Sequence, residues 1–308
     1  MTWLRRIGFF LGLNIVVMLT ISFVLNLLGV GPYLTAQGLN IGALMAFCLV
    51  WGMGGAFISL MISKMMAKWM MGVRVINPHT SNPQEYALLE TVYRLARSAG
   101  LSKMPEVGIY ESPEVNAFAT GPTKKNSLVA VSSGLLYNME GRALDGVLGH
   151  EITHIANGDM VTMTLIQGVV NAFVMALARI VAFAIDNALR GDRNSRGGGL
   201  GRFGYMIVVW ILEMLFFIPG SMVIGYFSRQ REFRADQGGA RYAGRDSMIS
   251  ALKNLQRVAA INAAPAGAQA SPAFSNMKIA SDRKGGLIAL MATHPPLDER
   301  IARLERGV

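Results

Sequence analysis

The chain has one cysteine, four histidines and few charged residues, 16% of 308 against roughly a quarter in an average soluble domain. A single cysteine excludes an internal disulfide, and Cys48 lies inside a long apolar run, where it is a packing residue. Acidic groups are the scarcer sign: 19 Asp and Glu stand against 29 Lys and Arg, a formal net charge of +10. Here the positives gather beside apolar runs and form no basic stripe with interleaved aromatics. Anionic lipid is therefore the expected partner of that charge, and nucleic acid is not. A nucleotide-binding glycine fingerprint, an internal repeat and a heptad run are also missing.

What the chain has in excess is apolar length. Hydrophobic residues make up 52% of it, with 20 methionines. Ile7–Leu28 and Leu39–Ser63 each run without a charge, long enough to cross a hydrocarbon core of about 30 Å. Arg5 and Arg6 could open a signal peptide, but the run behind them exceeds the usual h-region of about 7 to 15 residues, so a retained anchor is expected. The loop Gly29–Asn40 carries no charge, whereas Arg5, Arg6, Lys64, Lys68 and Arg74 flank the other ends. That asymmetry predicts a cytoplasmic location for the soluble part after Arg74.

Two more apolar segments, Met160–Ile185 and Tyr205–Phe227, contain Arg179 and Glu213 and enclose a basic loop, Leu189–Phe203. Ionisable residues at membrane depth face protein or water. The segments are thus either spans with polar inner faces or long helices half buried in the soluble domain, and in both cases the chain returns to the side it left.

Between the apolar pairs, Asn77–Pro83 is a turn-rich joint with His79 as a loop residue. The spacing of Leu88, Leu89, Val92 and Leu95 predicts an amphipathic helix over Gln84–Ala99. Glu106–Tyr110, Asn116–Thr120 and Ser127–Val131 read as short strands, a small sheet immediately before the next helix. Near the C-terminus, Met248, Ile249, Leu252 and Leu255 mark one face of a helix over Gln237–Ala260, and Ala263–Asn276 has the composition of a mobile loop.

The chemistry concentrates at His150-Glu151-Ile152-Thr153-His154, which spends two of the four histidines on the H-E-x-x-H spacing. Leu144, Val147 and Leu148 place that stretch on a helix, where residues four apart share a face and both imidazoles can reach one zinc ion. Glu151 lies beside them, placed to take a proton from the attacking water. A catalytic zinc normally has three protein ligands and one open position. The remaining histidines and the carboxylates on the same side of the membrane are candidates, which removes Glu213. Glu232, within Ser228–Asp236, stands out because it follows the fourth apolar segment as closely as His154 precedes the third. If those segments form a hairpin, its open ends bring His154 and Glu232 together. Asp236, one turn on, can accept a hydrogen bond from the outer nitrogen of a ligand histidine. The competing reading has Glu232 and Asp236 pair only with Arg229, Arg231 and Arg234 at a solvated helix start.

Three stretches in this order, H-E-I-T-H-I-A-N-G-D-M (150–160), R-E-F-R-A-D (231–236) and T-H-P-P-L-D-E-R-I (293–301), resemble the HtpX family of bacterial membrane zinc metalloproteases, relatives of the CAAX-processing endopeptidases. The resemblance covers nearly the whole chain. It implies that His150, His154 and Glu232 hold one zinc ion, that Glu151 is the general base and that Asp236 supports the ligands. It implies further that Asn116, Ala117 and Phe118 form the edge-strand segment for an extended substrate. His294 is expected near zinc, stabilising the oxyanion or filling the open metal position at rest, and Arg300 is expected to hold that segment or a substrate carbonyl.

The expected fold is α+β, mainly α: a zincin-like domain with a small sheet, attached to transmembrane helices. Its parts are a membrane anchor (1–74), the first part of the catalytic domain (75–159), an apolar helical hairpin (160–227) and the second part of the catalytic domain (228–308). The expected activity is that of a zinc endopeptidase of the bacterial inner membrane, facing the cytoplasm. Its implied substrates are misfolded or damaged membrane proteins, cut in cytosolic segments during quality control and stress. Two other classes compete. A proteolytically silent zinc scaffold or holdase would have no need of Glu151, and a transporter binding zinc at the midplane would carry its ligands within the spans.

Overall fold

A computed structural model describes residues 23, 34–35, 38–190, 199–263 and 292–307. The first apolar run apart from Phe23, the middle of the basic loop and nearly all of Ala263–Asn276 lie outside them. The strands in chain order are β1 (Leu34–Thr35), β2 (Gly38–Leu39), β3 (Arg74–Val75), β4 (Glu106–Tyr110), β5 (Ala117–Thr123) and β6 (Asn126–Ser132). The helices are α1 (Ile41–Met70), α2 (Pro83–Ser98), α3 (Ser133–Asn138), α4 (Gly141–Asn157), α5 (Asp159–Arg190), α6 (Gly201–Ala243), α7 (Arg245–Ala263) and α8 (Leu297–Arg306). The chain divides into two interleaved units, Met1–Ser59 with Thr164–Ile224 and Leu60–Met163 with Gly225–Val308.

The first unit holds the apolar lengths. Helices α1, α5 and α6, of 30, 32 and 43 residues, are each long and apolar enough to cross a membrane. Leu44, Cys48, Ala172 and Ala176 form its buried core. Gly52 meets the backbone of Gly168 and Ala172 so closely that a Cβ would collide, the small-residue contact by which apolar helices approach one another. Arg179 and Glu213, the two charges inside the apolar segments, pair with each other at 2.5 Å, and the Arg179 guanidinium also lies 5.3 Å from the centre of the Phe47 ring.

The second unit is α+β. Its sheet has the order β3-β4-β6-β5, antiparallel except for the parallel pair β4 and β6. One face, with Val107, Ala117, Val129 and Val131, belongs to a single core with residues of α2, α4, α7 and α8. The other buries Tyr110, Phe118, Leu128 and Ala130 against Ala67 and Val73. Helix α2 starts where Asn82 Oδ1 accepts the Gln84 amide, with Pro83 in the first turn, and buries the expected stripe of Leu88, Leu89, Val92 and Leu95. Lys64 and Lys68 both pair with Glu106, and Arg74 pairs with Glu85.

Three sequence expectations change. The short helix α3, capped by the Ser132 hydroxyl on the Leu135 amide, intervenes between the sheet and α4. Strand β5 begins at Ala117, so Asn116 precedes it. The helix expected over Gln237–Ala260 is the end of α6 followed by α7, broken at Gly244, whose φ of +98° lies outside the helical region. Periodicity could not find that break, because Gly238 and Gly239 are equally good breakers by composition and yet lie inside α6.

Those interior glycines set how near α4 comes to α6 and α7. A Cβ on Gly238 would strike the Thr153 side chain, and one on Gly146 would strike the Ser247 carbonyl. Gly146→Ala and Gly238→Ala are therefore expected to lower stability by about 1–3 kcal/mol, the usual cost of overpacking. Gly55→Ala, whose Cβ would meet nothing within 4 Å, should leave the midpoint nearly unchanged. Thermal unfolding in detergent compares the three.

Candidate active site

Helix α4 turns Val147, Leu148, Ile152 and Ile155 into the core and carries His150, Glu151 and His154, all buried. The two imidazoles stand edge to face, with their Nε2 atoms 3.1 Å apart. From α6, Glu232 places Oε2 3.4 Å from His150 Nε2 and Oε1 3.3 Å from His154 Nε2. One ligand atom from each of the three residues lies within 4.8 Å of the others, and among the described residues this is the group of His and Glu able to hold a metal ion. Glu232 and Asp236 are buried, which rules out the solvated helix start. Of the three arginines in that alternative, Arg231 does approach Glu232, at 3.1 Å, while Arg229 reaches the carbonyl of Ala292.

Each histidine is held from behind by a carboxylate. His150 Nδ1 lies 3.0 Å from Asp236 Oδ1, and His154 Nδ1 lies 2.6 Å from Asp159 Oδ2. A proton on each Nδ1 leaves the Nε2 lone pairs facing the common point. Asp236 is among the residues singled out in the sequence, and Asp159 is not. Its signal in the sequence is a carboxylate five residues after His154, just past Gly158, whose left-handed φ of 73° ends α4 and starts α5. Helical spacing alone does not find it, because it belongs to the first turn of the next helix and not to α4.

Arg300 grips Asp236 in turn, Nε to Oδ2 at 2.7 Å and Nη2 to Oδ1 at 2.6 Å, a bidentate fork that ties α8 to α6. Only 1% exposed, it is enclosed behind His150, with Nη1 3.8 Å from Glu232 Oε2. It holds the C-terminal segment in place, and its guanidinium is not open to solvent. His294 Nδ1 lies 2.8 Å from Glu232 Oε2, so this histidine rests against the third member of the cluster. Asn116 donates its amide to Ser132 Oγ and accepts the Ser132 amide, at 3.1 and 2.9 Å. The side chains of Asn116, Ala117 and Phe118 are buried; what they leave open is the outer edge of β5, the last strand of the sheet.

The electrostatics follow from burial. Loss of water pushes the Glu232 carboxyl up, but His294, His150 and His154 outweigh it and hold it well below the usual range. Burial opposes a proton on His150, yet Asp236 and Glu232 prevail and raise it to about 9.

A buried pair of histidines from H-E-x-x-H, a glutamate from a second helix and an adjacent glutamate define a metallopeptidase. Comparison with known proteins gives the family: residues 83–308 match the model of Peptidase family M48, and the chain belongs to that family. It is similar to Protease HtpX of Shewanella pealeana, 49% identical over 301 residues that cover 98% of this chain and 99% of the relative. It is likewise 50% identical over 304 residues to Protease HtpX of Aeromonas hydrophila, with the same coverage. Among solved structures, Ste24p of S. mikatae shares the fold with a TM-score of 0.65 at 14% identity, covering 98% of this chain and 65% of that one. The protein is a membrane metalloprotease.

Asp159→Asn should weaken metal binding about 10–100-fold, the usual effect of losing such a support, while leaving the fold intact; equilibrium dialysis measures it. A second expectation concerns the metal-free protein. His150 is raised on folding from 6.5 to about 9, so its contribution to stability is complete below about 6.5 and disappears as pH rises through about 9. Glu232, lowered on folding, contributes above about 4.5 and loses that contribution on acidification. With a chelator present, the melting temperature should fall between pH 6.5 and 9.5, and His150→Gln should flatten the slope.

Proposed function

We propose that the protein is a zinc endopeptidase of the bacterial inner membrane, multi-pass and facing the cytoplasm, which cuts misfolded or damaged membrane proteins in cytosolic segments during quality control and stress. The observation that supports zinc is the spacing of the cluster. The two Nε2 atoms are 3.1 Å apart, and each has one oxygen of Glu232 beside it, Oε1 at 3.3 Å from His154 and Oε2 at 3.4 Å from His150. Two ligands at tetrahedral zinc, with bonds near 2.05 Å, are separated by about 3.3 Å. A set of two imidazoles and one carboxylate also suits that ion. His150, His154 and Glu232 would hold it.

When bound, zinc supplies the Lewis acidity that polarises the scissile carbonyl and makes water a nucleophile near neutral pH. Glu151 takes the proton of that water and returns it to the leaving amine. His294, anchored on Glu232, is assigned to the carbonyl oxygen as it gains charge. The substrate backbone lies as an added strand along the edge of β5 at Ala117–Thr120, where main-chain bonds give grip independent of side-chain sequence. The lysines and arginines flanking the apolar runs support the orientation.

Zinc content by mass spectrometry and casein cleavage, for the wild type, Glu151→Gln and Glu232→Ala in detergent, test the chemistry. Glu151→Gln should keep zinc and lose cleavage by about 10²–10⁴-fold, and Glu232→Ala should lose both. Cleavage that survives Glu151→Gln would return the zinc-scaffold alternative. For the substrate class, a membrane protein destabilised by a core mutation should be cut faster than its stable parent in reconstituted vesicles; equal rates would sink that part.

A further inference from the structure

Four residues of α6, at spacings of three, four and seven from the first, receive the C-terminal segment. Arg229 Nη1 donates to the carbonyl of Ala292 at 2.8 Å. Glu232 Oε2 meets His294 Nδ1 at 2.8 Å. The Phe233 ring lies 3.7 Å beneath the Arg303 guanidinium, and Asp236 takes the fork from Arg300. Residues so spaced form one stripe on a helix. The helix that carries the third metal-site residue is therefore also the rail along which residues 292–303 are laid.

His294 sits between two anchors on this rail. On its C-terminal side, Pro295 and Pro296 fix the backbone stiffly up to α8, which Arg300 and Arg303 tie down. On its N-terminal side, the described contact to α6 is the bond from Arg229, two residues away from the histidine. The bond fixes the backbone two residues before the histidine, so that Arg229 and the two prolines together hold its ring against Glu232.

We propose that Arg229 is a positioning residue for the peptidase reaction: by holding the Ala292 carbonyl it fixes the placement of His294 at the reacting carbonyl. This rests on the assignment of His294 made above. The bond to Ala292 uses one N–H, so a lysine can replace it.

The test uses the full chain in detergent with a quenched fluorescent peptide, comparing wild type, Arg229→Ala, Arg229→Lys, His294→Ala, the double variant Arg229→Ala/His294→Ala and the exposed control Arg234→Ala. Arg229→Ala should lower kcat about 10–100-fold with KM and zinc content little changed, the size of effect seen when a support behind an active-site group is lost. Arg229→Lys should recover most of it, and Arg234→Ala should match the wild type. The double variant should be no slower than His294→Ala, because the two act through one group. Hydrogen–deuterium exchange should rise at Thr293 and His294 in Arg229→Ala and stay unchanged in α4. Additive losses in the double variant, zinc loss in Arg229→Ala, or a wild-type kcat in Arg229→Ala beside a slow His294→Ala would each overturn the proposal alone. A wild-type kcat in His294→Ala would overturn both it and the role of His294.

Discussion

Glu232 has no surface in contact with solvent, and a carboxylate so placed stays ionised only where other groups replace the water it has lost. Nitrogens of His150, His154, His294 and Arg231 stand within 3.4 Å of it, and Arg300 at 3.8 Å. These come from α4, from α6 itself and from the C-terminal segment, so one buried charge ties three parts of the chain to a single point. A buried charge left without any partner typically costs about 3–5 kcal/mol, and here the cost is met by several groups together. The apolar contacts of α4, α7 and α8 decide where the helices lie. The carboxylate decides that they must meet.

A second layer repeats this logic. Asp236 accepts from His150 on one side and from the Arg300 fork on the other, so the ligand histidine, its carboxylate and α8 form one chain of bonds. Asp159 does the same for His154 across the turn at Gly158. Both rings are thereby held in angle by a carboxylate at Nδ1.

Much of this was legible in the residues. The H-E-x-x-H spacing and the stripe of α2 follow from helical periodicity, the strands from their glycine and proline punctuation, and Glu232 is singled out by its symmetric position about the two apolar segments, with a solvated helix start as the competing reading. The parts that escaped are those in which a residue acts against its usual meaning or through a turn. Asp159 lies beyond the end of α4, as the first residue of α5, off the face that carries the histidines. Gly146, Gly149, Gly238 and Gly239 look like breakers, yet they lie within helices and thin them where they cross. Arg179 and Glu213 weaken the hydropathy of their segments when read singly. Paired in the first unit, they satisfy each other and leave outward faces rich in Trp210, Ile211, Leu215 and Phe173, all exposed.

The outer edge of β5 is interrupted soon after it begins. Its pairing with β6 is irregular between Thr120 and Thr123, where Gly121 has a φ of +141° and Pro122 has no N–H to offer. The regular stretch is Ala117–Thr120, about 13 Å of strand. An edge that short admits a few backbone bonds from one visiting chain but gives no template for strand upon strand to stack. The bulge lets the sheet keep an open side without inviting aggregation between neighbouring copies.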